Sequence, residues 1–153
     1  MELLQLLQET VDIVDENIVV CQGLQVGMEN DFFSRHEPIG QQFINIPLDI
    51  EQWSKDIDTP IWSYAIIDYG FDYTDICDYK LFVFFHELGH LVNGLIENEL
   101  IYVARIAQLP QSKPLRAKGY IKIPDEWYAW LWAWDFISTN KEYVRKLNSQ
   151  LNW

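Results

Sequence analysis

The residues of this chain best suited to chemistry are two histidines four apart with an acid between them, in the segment His86-Glu87-Leu88-Gly89-His90. On a helix, side chains at i and i+4 leave from one face, so both imidazoles can take two corners of a zinc tetrahedron. Glu87 lies one residue around. That offset aims its carboxylate at the water beside the metal, where it can take a proton as the water attacks and pass it to the leaving amine of a peptide. The motif follows Leu81-Phe82-Val83-Phe84-Phe85, the most apolar run of the chain. Burying His, Glu and His there without partners would cost desolvation free energy, and a metal is the partner that the pattern predicts. Gly89 costs a helix about 1 kcal/mol relative to Ala. It marks a point where another backbone, either a substrate strand or a facing helix, must come close.

A hydrolytic zinc site needs a third protein ligand and one open position. Leu91-Val92-Asn93-Gly94-Leu95-Ile96 follows the motif without a histidine, which excludes the metzincin spacing. The remaining histidine, His36, falls in a polar stretch far upstream that reads as a loop. A carboxylate is therefore expected. Glu126 is favoured, because Ala129 and Ala133 follow it at helical spacing and give its helix a small-residue stripe for close packing on the histidine helix. Asp125, Glu97 and Glu99 are the rivals. Asp125 and Glu126 both follow Pro124 in a first helical turn, where the helix dipole favours acids in any case, and Glu97 lies near the same helical face as His90. The oxyanion of the reaction needs a donor, for which Tyr64, Tyr120, Tyr128 or a backbone N–H are open. Trp127, Trp130, Trp132 and Trp134 could line a pocket, but aromatics at helical spacing more often build core.

These groups need elements to hold them. Leu3, Leu4, Leu7, Val11 and Val14 recur at helical spacing and predict an amphipathic helix. Ile18–Cys21, Gln42–Ile46 and Trp62–Ile67 are short, rich in β-branched or aromatic residues and bounded by Gly, Pro or Asp, so they read as strands. A buried helix is expected over Asp75–Asn93 and another over Leu95–Gln108, stopped by Pro110. Gln111–Lys118 is expected to be the least structured stretch. Pro124 should open a helix running through Trp134, and Thr139 with Glu142 has the spacing of a capping box for one more. The fold class that results is α+β, a single domain over residues 1–153 with a short mixed sheet packed on the histidine helix and further helices at the C-terminal end.

A chain of 153 residues can bury a core without disulfides. Its net charge of −12 argues against a nucleic-acid-binding surface, which needs clustered Lys and Arg. No apolar run approaches the roughly 20 residues of a membrane span. The opening residues lack the basic start of a secretory signal, so a cytoplasmic protein with Cys21 and Cys77 as reduced, mostly buried thiols is expected.

Beyond its general zincin pattern, His86-Glu87-Leu88-Gly89-His90 followed by Glu126-Trp127-Tyr128-Ala129-Trp130-Leu131-Trp132-Ala133 resembles the ImmA/IrrE-like metallopeptidases of bacteria and phages. The resemblance implies a zincin-like domain in which His86, His90 and Glu126 bind Zn2+ and Glu87 is the general base. The substrate would be a protein, such as a transcriptional regulator. Tyr128 stands where a second acid is common in that family and Trp130 where Asn is common. The alternative function is a metal-containing or acidic interaction protein that inhibits a partner without cutting it.

Overall fold

The computed structural model describes residues 2–24, 27–36 and 41–153, and among them one helix precedes three strands and seven helices follow. They run α1 (Leu3–Val14), β1 (Ile18–Gln22), β2 (Phe33–His36), β3 (Gln42–Ile46), α2 (Ile50–Asp56), α3 (Thr59–Asp68), α4 (Tyr79–Asn93), α5 (Glu99–Ala107), α6 (Lys113–Ile121), α7 (Pro124–Thr139) and α8 (Lys141–Gln150). The architecture is α+β. The sheet is ordered β1-β3-β2, with β1 parallel and β2 antiparallel to β3. One face of this mixed sheet meets α4, and α1 lies along β1.

The core explains the order of layers. Leu6, Leu7 and Val11 of α1, Ile18 and Val20 of β1, Ile44 and Ile46 of β3, and Leu81, Phe82, Phe84 and Phe85 of α4 belong to one buried apolar cluster, which continues to Ile137, Val144 and Leu147. Because α4 is covered by the sheet and by α7 together, it is apolar nearly all round, as a central helix must be. Asp78 caps it by accepting from the Leu81 amide at 2.9 Å. Cys21 and Cys77 are both free thiols, and burial pushes the Cys77 thiol up to about 12.

Several local expectations are corrected. Trp62–Ile67 is not a strand but part of α3. Pro60 stands in the first turn of that helix, where its fixed φ and missing N–H are tolerated, and the helix-start signal outweighs the β-branched and aromatic content. The third strand is instead Phe33–His36, so His36 closes β2 rather than lying in a loop. Gln111–Lys118 is not unstructured, because α6 begins at Lys113 with Pro114 in its first turn. The Thr139–Glu142 capping box does not form: Thr139 ends α7, and α8 starts from Asn140 without a side-chain cap. The helix predicted over Leu95–Gln108 starts later, at Glu99, with Asn98 as its cap.

The helices α4 and α7 pack closely. A Cβ built on Gly89 would lie 2.7 Å from the Ala129 carbonyl oxygen and 3.2 Å from its Cα. The neighbour that Gly89 admits is therefore the facing helix, through the alanine stripe of α7. We expect Gly89→Ala to lower the melting temperature by several degrees. The added methyl meets backbone that cannot rotate away, and overpacking of this kind costs about 1–3 kcal/mol, against about 1 kcal/mol gained in helix propensity. Thermal unfolding followed by circular dichroism measures it; a melting temperature equal to the parent's or higher would mean that α4 and α7 separate freely.

Candidate metal centre

The joint between α4 and α7 fixes what faces what. His86 is buried and His90 half-buried on one face of α4, and Glu126 is buried in the first turn of α7. His86 Nε2 lies 3.0 Å from Glu126 Oε1, His90 Nε2 lies 3.1 Å from Glu126 Oε2, and the two Nε2 atoms are 3.1 Å apart. Two imidazoles and a carboxylate thus converge on one point from two helices. Donors bonded to zinc at about 2.0–2.1 Å in a tetrahedron are separated by roughly 3.3 Å. The two Nε2 atoms lie within a few tenths of an ångström of that edge, and each faces one oxygen of Glu126, so His86, His90 and Glu126 could hold a metal ion.

Glu87 takes a different position. It comes within metal-ligand range of the two histidines, all three offering donor atoms within 4.8 Å of one another. Its carboxylate, however, is held by Ser34 on β2, whose Oγ–H donates to Glu87 Oε2 at 2.8 Å. Glu87 therefore stands beside the convergence point with its orientation set by the sheet, where a base for an attacking water belongs.

Electrostatics follow from burial and from Glu126. Burial, then the neighbouring His90, lowers the pKa of His86 and keeps its ring neutral. Burial also acts to lower His90, but the hydrogen bond and charge of Glu126 outweigh it and raise the pKa of His90. Burial acts to raise Glu126, yet the two imidazoles outweigh it and hold the carboxyl well below its usual range. The two imidazoles thus favour the ionised form of Glu126. Burial raises Glu87 to about 7, and a bound dication would favour its ionised form again.

Two features of the histidine shell went unread in the sequence. Trp130 stacks on His86 with ring centroids 3.8 Å apart and fixes the plane of the imidazole. His86 Nδ1 is buried without a hydrogen-bond partner among the described residues. Metal-bound histidines usually anchor this second nitrogen on an acceptor; here the ring is held by stacking instead.

The rivals of Glu126 are engaged elsewhere. Asp125 accepts from the Ile96 and Glu97 amides at 2.8 and 3.2 Å and so ties down the segment leading into α5. Glu97 forms a two-pronged pair with Arg105 at 2.6 and 2.7 Å. Glu99 is exposed at the rim of the cleft. Of the candidate oxyanion donors, Tyr64 is 67% exposed in a separate groove between α3 and α6 with Pro114, Leu115 and Lys118. Tyr128 is also exposed and does not line the cleft, whereas Tyr120 does. The tryptophans of α7 pack on Tyr69, Phe71, Phe82 and Phe136, which is the core reading and not a pocket.

The site opens into a cleft of about 720 Å³, with Glu87, His90 and Glu126 on its floor and Phe32, Phe33 and Leu95 among its walls. Tyr102 also lines it and donates to Glu126 Oε2 at 3.0 Å. No feature of the sequence singled out Tyr102 or Ser34, since each lies on an element far from the motif and is an ordinary residue for that element. Among the described residues, no helix is long and apolar enough to cross a membrane. Compared with known family models, characterised proteins and solved structures, the chain finds no match.

Proposed function

We propose that this protein is a zinc-dependent peptidase of the zincin type, resembling the ImmA/IrrE-like metallopeptidases, that hydrolyses a peptide bond in a regulatory protein. The observation that carries the reading is the convergence of His86, His90 and Glu126 within hydrogen-bond distance of one another, with His90 and Glu126 lining an open cleft and His86 buried behind them, and with Glu87 beside them and bonded to Ser34. Zn2+ bound by these three residues would supply Lewis acidity and lower the pKa of the attacking water. Glu87 accepts the proton of that water on its carboxylate and delivers it to the leaving nitrogen. Ser34 holds the carboxylate in line. The apolar walls contributed by Phe32, Phe33 and Leu95 receive substrate side chains and reduce the water around the reacting bond.

We expect one zinc per chain after dialysis of the purified protein against the metal at neutral pH, read by elemental analysis. Protein that takes up no zinc is not a metallopeptidase, and the acidic interaction protein then becomes the better reading. Protein that binds zinc but cuts no peptide in a proteome-derived library is a metal-containing binding protein instead.

A further inference from the structure

Once the imidazoles give their Nε2 lone pairs to an ion, they can no longer donate those hydrogen bonds to Glu126. The carboxylate then depends on whatever other partner it has. Its remaining hydrogen-bond partner among the described residues is Tyr102, whose hydroxyl donates to Oε2 at 3.0 Å. Because that proton is committed to Glu126, the Tyr102 oxygen is free to accept, and the Tyr120 hydroxyl lies 2.9 Å away as donor. The two tyrosines come from different helices, α5 and α6, and their hydroxyls meet beside this carboxylate.

The placement of α5 shows that this contact is not a by-product of core packing. The helix buries none of its residues, and only Tyr102 and Ile106 are even half-buried. Leu100 is 83% exposed. Among the described residues, α5 and the segment leading into it are tied at this end by the Asp125 carboxylate on the Ile96 and Glu97 amides and by the Tyr102 hydroxyl on Glu126 and Tyr120. A tyrosine placed for apolar burial would point its ring into a core. Tyr102 points its hydroxyl at a buried carboxylate.

We propose that Tyr102, supported by Tyr120, is a positioning residue for the metal ligand Glu126, and that α5 is thereby part of the metal centre. The inference rests on the metal-binding reading above. The hydroxyl holds one carboxylate oxygen so that the other is presented to the ion, a role in which outer-shell partners of metal ligands commonly govern affinity.

The test is made on the full chain with Zn2+ and Co2+ as probes. Tyr102→Phe keeps the ring and removes only the hydroxyl. It should weaken zinc binding by roughly 10- to 100-fold in a chelator competition and alter the d–d absorption of the cobalt-loaded protein, which a purely structural contact would leave unchanged. Tyr120→Phe, one bond further out, should shift both readouts in the same direction by less. Parent-like affinity and cobalt spectrum in Tyr102→Phe overturn the proposal. If that variant does not fold, Tyr120→Phe decides, and a parent-like result there overturns it as well. Failure of the parent itself to take up either metal overturns the metal reading and this inference with it, which is a distinct outcome from a parent that binds and a variant that binds equally.

Discussion

Glu87→Gln should retain zinc at parent affinity and lose hydrolysis by about 10²- to 10⁴-fold, the range typical of general acid–base catalysis. The amide keeps the shape of the side chain and can still accept from Ser34 Oγ, so the local packing of α4 against β2 survives. What it lacks is a site for the proton of the attacking water. The prediction separates two roles that the sequence alone leaves close together, since Glu87 lies between the histidines and within ligand range of both. Zinc content and turnover of a peptide substrate are measured on the same preparation. A fall in zinc content would make Glu87 a ligand, and unchanged turnover would remove it from the chemistry.

The second large effect is expected at Glu126. Glu126→Gln removes the acid that, among the described residues, touches both His86 and His90, and with it the negative charge that offsets a dication in a buried site. Zinc affinity should fall by more than the roughly 10- to 100-fold typical of an outer-shell change. The same titration on Glu97→Gln and Glu99→Gln should give parent affinity, because one carboxylate is paired with Arg105 and the other sits at the exposed rim. Asp125→Ala should act on stability instead, by about 1 kcal/mol for the two part-buried hydrogen bonds lost from the Ile96 and Glu97 amides. Parent-like binding by Glu126→Gln, with loss in one of the others, would reassign the third ligand.

The parts of the site that were legible in the sequence are those set by a single helix or by two helices in contact. Residues at i and i+4 must share a face, so His86 and His90 needed no tertiary information. Glu126 was legible through Gly89 and the Ala129 stripe, because close helix packing requires small residues on both sides. Ser34 and Tyr102 were not legible. Their relation to the centre is created by long-range packing of β2 and α5, for which an isolated serine or tyrosine carries no local signature. Two of the fold errors share one cause. Trp62–Ile67 reads as a strand bounded by Pro60 and Gln111–Lys118 as a loose stretch containing Pro114, yet each proline stands in a first helical turn as Pro124 does.

The contact of Gly89 with Ala129 also defines a chain excursion. Residues 94–123 leave the joint at the end of α4 and return to it at the start of α7, so both ends of that stretch are clamped by the same pair of helices. The entropy of closing such a loop grows only logarithmically, with each doubling in length adding about 0.6 kcal/mol. Pro110, Gln111 and Ser112, between α5 and α6, are exposed. The scaffold can therefore gain length at that turn, and with it new surface, while the spacing between the two imidazoles and the carboxylate stays set by one glycine and one alanine.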